Sequence, residues 1–131
     1  MIELQDSYAI PSAHSVVILQ GGSGHLYGFT AFPMAAPIKG RSGICVCVRP
    51  PEDGDDLATS YWTPLYVGAS RTMGEGDDMP RGILEQARRM GATHMLVHFC
   101  DRGEDVRRDI AEDLITALRP ALNSEGRRAA A

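Results

Sequence analysis

The sequence predicts a small α+β domain in which helices flank a mostly antiparallel sheet. Short stretches rich in β-branched and aromatic residues are bounded by glycine, proline or acidic clusters, as strands usually are. Two later stretches carry apolar residues at helical spacing. Strands precede most of the helical sequence, and neighbouring strands are close enough to pair as hairpins. The predicted order is therefore β-β-β-β-α-β-α.

The first predicted element is a β-hairpin within residues 14–32, HSVVILQGGSGHLYGFTAF. Its glycines resemble a phosphate-binding loop only superficially, because the strand-to-helix setting and the lysine of such loops are missing. We expect one domain, with the hairpin and a connector at 1–42, a core at 43–123 and a frayed tail at 124–131.

The core contains the remaining elements, each bounded by a turn or breaker residue. A helix that opens near Pro80 suits the fixed φ of proline, and Pro120 ends the last helix. The predicted elements are strands at 43–49 and 64–68, a helix at 80–90, a strand at 92–100 and a helix from 104. We expect the first two of these strands to pair as an antiparallel hairpin.

Composition excludes several classes of protein. The chain has 131 residues and a formal net charge of −4, which gives no general attraction to nucleic acid. Binding to nucleic acid would therefore need a local basic surface. The apolar runs are too short to cross a membrane, and no secretory signal opens the chain. Three cysteines without CxxC spacing indicate a cytoplasmic protein with reduced thiols.

The last helix has its apolar residues on one side. With about 100° per residue and Val106 as zero, Glu112 falls near ~240°, opposite an apolar stripe centred near roughly 60°. We therefore expect Glu112 to be a solvated carboxylate. Arg107 and Arg108 are expected to give weak support to the helix surface. The predicted stripe consists of Val106, Ile110, Leu114, Ala117 and Leu118.

Three stretches together resemble the GIY-YIG nuclease superfamily. They are GICVCV at 43–48, PLYVG at 64–68, and the ending EDLITALRPALN. The resemblance implies a site on the sheet that hydrolyses phosphodiesters with one divalent metal ion. Two tyrosines would activate water, an arginine would stabilise phosphate charge, a glutamate on the last helix would hold the metal, and a terminal asparagine would support the site.

This chain keeps only part of that pattern. Tyr66 and Asn123 match the second tyrosine and the asparagine. The first tyrosine falls on Cys45, and the glutamate falls on Ala111, one residue before Glu112. Because Arg71 comes early and another arginine, Arg81, comes late, no arginine falls at the family's position. The sequence therefore predicts a fold of this type that has lost the nuclease residues.

The predicted function is a regulatory or accessory one that needs no cofactor, in which DNA binds to a local arginine patch or a protein partner binds instead. The alternative is an active endonuclease that uses Mg²⁺ or Mn²⁺ with Tyr66, Arg71 and Glu112 at a shifted site. We predict no membrane contact, and the sequence does not indicate an oligomeric state. The residues expected to contact nucleic acid are Tyr66, Arg71, Arg81, Arg88, Arg89 and Asn123.

Further groups of residues carry alternatives. A zinc module would need Cys45, Cys47, His94, His98 and Cys100 to share one face of the sheet, and ordinary core cysteines and hydrogen-bonded histidines are favoured. Seven arginines form either a phosphate-binding surface or solvated helix faces paired with acids: Arg81, Arg88, Arg89, Arg107, Arg108, Arg127 and Arg128. Trp62, with Tyr61, is expected to anchor the acidic loop at 50–63 on the sheet.

Overall fold

The computed structural model of the chain describes residues 15–34, 41–51, 62–73 and 79–123. The α+β fold class is confirmed within these ranges. A short helical segment follows Pro120 and includes Ala121–Asn123. The main elements, in chain order, are strands β1 (Ser15–Gln20), β2 (Leu26–Pro33), β3 (Arg41–Arg49) and β4 (Thr63–Met73), helix α1 (Ile83–Arg89), strand β5 (His94–Phe99) and helix α2 (Glu104–Leu118).

All neighbouring strands of the sheet are antiparallel, and the strand order is β1-β2-β5-β3-β4. The two predicted hairpins are confirmed, as β1-β2 and β3-β4. Strand β5 is inserted between them, which places β1 and β4 at the edges of the described sheet. Strand β3 lies inside the sheet and is buried from Gly43 to Val48, as a strand covered on both faces should be.

The two helices cover opposite faces of the sheet. Side chains of a strand alternate between faces, so β3 directs Ile44, Val46 and Val48 toward α2 and directs Cys45 and Cys47 toward α1. Strand β5 follows the predicted alternation, with Leu96 on the α2 face and Met95 and Val97 on the α1 face. Each face therefore has its own hydrophobic cluster.

Strand β4 is longer than the sequence predicts. The predicted strand ends at Gly68, whereas β4 continues to Met73. Pairing with the beginning of β3 extends the strand, since Ser70 lies opposite Gly43 and Met73 lies opposite Arg41. Helix α1, by contrast, begins later than predicted, because a turn at Pro80–Gly82 precedes it.

Trp62 anchors the chain at the start of β4, as predicted. The indole is 1% exposed and packs edge-on against the His94 ring, with the ring centroids 5.4 Å apart. Tyr61, most of the acidic loop and the tail at 124–131 lie outside the described residues. No helix in the described part of the chain is long and apolar enough to cross a membrane.

The glycine-rich turn between β1 and β2 contacts helix α2 through Asp113. The Asp113 carboxylate accepts hydrogen bonds from the Ser23 backbone N–H at 2.8 Å, the Ser23 hydroxyl at 2.7 Å and the Tyr27 hydroxyl at 2.7 Å. A Cβ on Gly21 would lie 2.0 Å from an Asp113 oxygen, so a larger residue there would displace the carboxylate from these hydrogen bonds. The turn is therefore a docking element, and the hairpin interpretation of its glycines is confirmed.

Candidate functional site

A cleft of about 460 Å³ lies between the edge strand β4 and helix α2. Consecutive residues of β4 line it, so the backbone edge of the strand borders the cleft as well as one face. The opposite wall is the side of α2 that lies over this edge. The lining residues are Tyr66, Val67, Gly68, Ala69, Ser70 and Arg71 from β4, and Glu104, Arg107, Arg108, Ala111, Glu112 and Ile115 from α2.

On the strand side, Tyr66 lies along β4 and covers Gly68. A Cβ on Gly68 would lie 2.6 Å from the Tyr66 ring and 2.7 Å from its hydroxyl oxygen, so the ring occupies the space of a side chain. Tyr66 is 6% exposed and packs in the cluster on the α1 face. The tyrosine and the glycine of the PLYVG motif are thus one packing unit.

Asn123 covers the edge of β4 at Val67. The Val67 N–H donates to Asn123 Oδ1 at 2.7 Å, and Asn123 Nδ2 donates to the Val67 carbonyl at 2.8 Å. Both polar groups of Val67 therefore point away from β3. Because this direction alternates along a strand, the backbone of Ala69 faces the cleft side in the same way.

On the helix side, the buried stripe is rotated from its predicted centre. The buried residues of α2 are Arg107, Ala111 and Leu114, whose mean direction is near roughly 100° on the same wheel. Ala117, predicted in the stripe, is exposed. Glu112 is exposed, as predicted, but it lies on the wall of the cleft. Ala111, the position where the resemblance implies a metal ligand, is buried beside it.

Arg107 brings a positive charge to this cleft. The residue is only 6% exposed, and no carboxylate of the described residues forms an ion pair with it. Two side-chain nitrogens in the described part of the chain are shielded from solvent and have no hydrogen-bonding partner: Arg49 Nε and Trp62 Nε1. The guanidinium of Arg107 is not among them, so it contacts solvent where it borders the cleft.

Uncompensated burial of such a charge is costly, because a guanidinium stays protonated in proteins. The start of α2 brings groups of both signs to this region. No side chain caps its first backbone N–H groups, because the N-cap residue is Gly103, while Glu104 and Asp105 place two carboxylates in its first turn. A helix N-terminus with uncapped N–H groups attracts anions. Arg108 also lines the cleft, with its guanidinium 2.8 Å from Asp105.

Of the residues predicted to contact nucleic acid, Tyr66 and Arg71 line the cleft, and Asn123 lies at its edge. Arg81, Arg88 and Arg89 lie elsewhere. Arg71, on β4, lies beside the start of β3, where Ser42 donates a hydrogen bond to the Arg71 carbonyl. The end of α1 contacts Arg49 at the other end of β3, about 23 Å away by the rise of a strand. The residues predicted to contact nucleic acid therefore form two separate groups, one at the cleft and one at α1.

The arginines of α1 are paired with acid, as one of the two interpretations predicted. Arg88 and Arg89 lie 3.9 Å and 3.7 Å from the Glu85 carboxylate, and all three side chains are largely exposed. Such exposed pairs contribute little to stability, and the single Glu85 carboxylate offsets part of the charge of the two arginines. Arg107 is the opposite case, because it is buried and has no acidic partner in the described structure. Arg127 and Arg128 lie outside the described residues.

The zinc alternative is wrong, because its five residues do not share one face of the sheet. Cys45 and Cys47 belong to the cluster under α1, whereas His94, His98 and Cys100 lie on the α2 face. The two sets are separated by the sheet because alternate residues of β3 point to opposite faces. Cys45, at the position of the first tyrosine of the resemblance, does not line the cleft. A hydrogen bond with Cys45, together with burial, raises the pKa of the Cys47 thiol far above its ordinary range.

Metal ligation within the described residues has few donors available. They contain no group of three or more histidine, cysteine, aspartate or glutamate residues that could hold an ion. In the cleft itself, the carboxylates are those of Glu104 and Glu112, and both residues are exposed. A hard divalent cation there would take most of its ligands from water or substrate oxygens.

The sequence offers Arg107 only as one of seven arginines in a candidate phosphate-binding surface and does not predict its burial. The signal was present, since Arg107 falls near ~100° on the wheel, inside the arc from Ile110 to Leu118. The charge of an arginine predicts a surface position, and a stripe defined by apolar residues alone leaves Arg107 out. An arginine inside an apolar stripe indicates either a buried ion pair or a ligand site.

No protein-family model, curated protein or solved structure matches this chain. The resemblance to the GIY-YIG superfamily, and the function that it implies, therefore stay predictions from the sequence. The cleft has to be interpreted from its own residues: a buried arginine, an uncapped helix start and a partly capped strand edge.

Proposed function

We propose that this chain is a non-catalytic nucleic-acid-binding protein that holds phosphate in the cleft between β4 and α2. The observation that supports this most is Arg107, a guanidinium 6% exposed that has no ion pair in the described structure and borders an open cleft. An anionic ligand would supply the missing counter-charge, and a guanidinium suits phosphate because two N–H groups can donate to it together.

The surroundings of Arg107 support phosphate more than a purely apolar partner. Arg71 and Arg108 line the same cleft, and the backbone edge of β4 at Ala69 supplies further hydrogen-bonding groups. The net charge of −4 opposes non-specific binding, so contact should be confined to this region. A regulatory or accessory role is consistent with this limited binding surface.

Binding is tested by fluorescence anisotropy with labelled single-stranded and duplex oligonucleotides over a range of salt concentrations. The logarithm of the association constant should fall linearly with the logarithm of salt concentration, with a slope of roughly −0.7 to −0.9 per phosphate contact. Arg107→Met should weaken binding to every sequence about equally and make the slope shallower. The matched control is Arg89→Met, an exposed arginine on α1, which should leave binding unchanged.

Two results would contradict the proposal. One is the absence of binding to any oligonucleotide at low salt, which would favour the alternative of a protein partner. The other is equal loss of affinity in Arg107→Met and Arg89→Met, because the contact would then be diffuse rather than located in the cleft.

A second candidate is a divalent-metal-dependent endonuclease, and one observation favours it. Tyr66, Arg71 and Glu112, the residues of the shifted site, line the same cleft. Incubation of plasmid DNA with Mg²⁺ or Mn²⁺ tests this, with Glu112→Gln as the variant and Glu85→Gln, on α1, as the control. Nicking that Glu112→Gln abolishes and Glu85→Gln retains would replace the non-catalytic proposal.

A further inference from the structure

The depth of Arg107 restricts which phosphate could reach it. The phosphates of a duplex lie along a convex backbone, each flanked by sugars and further phosphates. A side chain 6% exposed in the wall of a concave cleft is poorly accessible to such a surface. The end of a strand can enter a cleft, because nothing follows its last phosphate.

The size of the cleft agrees with a small terminal group. Its volume of about 460 Å³ lies within the ~300–1,000 Å³ range of sites that enclose small ligands. The strand edge at Ala69 lies on one side and the start of α2 on the other. This arrangement can surround a single nucleotide rather than a continuous double helix.

The charge of a terminal phosphate also favours the end of a strand over an internal phosphate. A phosphomonoester at neutral pH carries a charge of roughly −1.5 to −2, whereas an internal phosphodiester carries one negative charge. The larger charge better compensates the buried guanidinium of Arg107, which has no ion pair in the described structure. Glu104 and Glu112 on the cleft wall would repel a polyanion that continued through the cleft, but a strand that ends there places only one phosphate among them.

We infer that the cleft binds the terminal phosphate of a single nucleic acid strand, with Arg107 as the residue that pairs with it. This inference depends on the proposed function, because it specifies the part of the nucleic acid that is recognised. Arg107 would contact the phosphate directly, with the first backbone N–H groups of α2 and Arg108 around it.

The test compares labelled single-stranded oligonucleotides of one sequence that differ only at their ends. The ends are a hydroxyl, a 5′-phosphate, a 3′-phosphate and the methyl ester of each of these phosphates, which adds only a methyl group and removes the second charge. We expect one of the two terminal phosphates to bind at least about tenfold more tightly than the hydroxyl end, a difference of ~1.4 kcal/mol. The methyl ester should lose most of this gain.

Substitutions test whether the preference for a terminal phosphate depends on Arg107. Arg107→Met should remove the preference for a terminal phosphate, and Arg107→Lys should retain only part of it, because an ammonium cannot form the paired hydrogen bonds of a guanidinium. Arg89→Met is the control and should keep the full preference. As a readout without variants, NMR spectra of the wild-type protein titrated with inorganic phosphate should show the largest shifts for amides at the start of α2.

The outcomes separate the two proposals. Equal affinity for all ends would overturn the terminal phosphate while leaving nucleic acid binding in place. Inorganic phosphate that binds in the cleft without competing with oligonucleotides would overturn the inference as well. A phosphoserine peptide that binds more tightly than every oligonucleotide would overturn the nucleic-acid assignment of both. No binding of phosphate in any form would refute the site.

Discussion

The carboxamide of Asn123 occupies the place of a neighbouring strand beside Val67. It accepts from the Val67 N–H at 2.7 Å and donates to the Val67 carbonyl at 2.8 Å, as a backbone amide would in a sheet. An exposed edge strand invites pairing with other chains, and this contact blocks that at one residue. It also ties the segment after α2 to the strand that forms the opposite wall of the cleft.

Loss of this carboxamide should destabilise the fold. Asn123→Ala leaves two part-buried backbone groups of Val67 without their partners, which should lower the free energy of unfolding by about 1–3 kcal/mol. Urea denaturation followed by the fluorescence of Trp62 measures the change. Arg89→Ala removes an exposed ion pair and should stay within ~0.5 kcal/mol of the wild type. Equal values for the two variants would show that the contact contributes nothing.

Gly68→Ala should be unfavourable because of Tyr66. The new Cβ would lie 2.6 Å from the tyrosine ring, and relief of this contact requires the ring to move, at a cost of about 1–3 kcal/mol. A double-mutant cycle tests the cause. The cost should shrink in a Tyr66→Leu background, with a coupling of roughly 0.5–3 kcal/mol. An undiminished cost in that background would place the strain in the backbone.

Arg107→Met should stabilise the protein while it weakens ligand binding. The substitution keeps the apolar stem and removes a buried charge that has no ion pair in the described structure. The free energy of unfolding should rise, by about 1 kcal/mol or more, in the absence of ligand. Arg108→Met, at an exposed position, is the control and should change little. A destabilised Arg107→Met would mean that the guanidinium is satisfied within the fold.

Asp113 should titrate below its ordinary value. Hydrogen bonds from Ser23 and Tyr27 stabilise the carboxylate and hold its pKa below 3.8. Because the folded pKa is the lower one, the stabilisation is complete above the unfolded pKa and is lost as pH falls through the folded pKa. NMR titration of the carboxyl carbon measures it, and Ser23→Ala should raise the pKa. An unchanged value in Ser23→Ala would assign the shift to another cause.

The buried thiols should be unreactive in the folded protein. Cys45 and Cys47 are 1% and 0% exposed, so an alkylating reagent cannot reach either sulfur. Their mutual hydrogen bond, with burial, raises the pKa of Cys47 and lowers that of Cys45, so the protection of Cys45 rests on its burial. Iodoacetamide at pH 8 should leave both residues unmodified over the time in which it alkylates them fully in urea. Mass spectrometry of digested protein locates the adducts. Rapid alkylation of Cys47 in the folded protein would require an opening of the α1 face.

Much of the fold follows from local pattern. Glycine and proline mark the turns, and alternation along β5 assigns Leu96 and Met95 to the correct faces. The length of β4 does not follow, since Ser70–Met73 become a strand only by pairing with the start of β3. Local propensity carries no information about that partner. Pairing with β3 therefore extends the strand beyond Gly68, where the glycine predicts its end.

The candidate site was only partly predictable. Tyr66, Arg71 and Asn123 follow from the resemblance, and the structure places them at one cleft or its edge. Arg107 depends on the rotation of α2 about its axis. That rotation is fixed by packing on the sheet and by the contact of Asp113 with the turn before β2, neither of which is local in sequence.

The contact between Asn123 and Val67 also makes the edge of β4 sensitive to deamidation of one side chain. Asparagine side chains deamidate slowly, and the resulting aspartate would present an oxygen anion to the Val67 carbonyl where Nδ2 now donates at 2.8 Å. A hydrogen bond would become a repulsion between two acceptors. Prolonged storage would then release the edge of β4 molecule by molecule, so an ageing sample becomes a mixture of capped and uncapped chains.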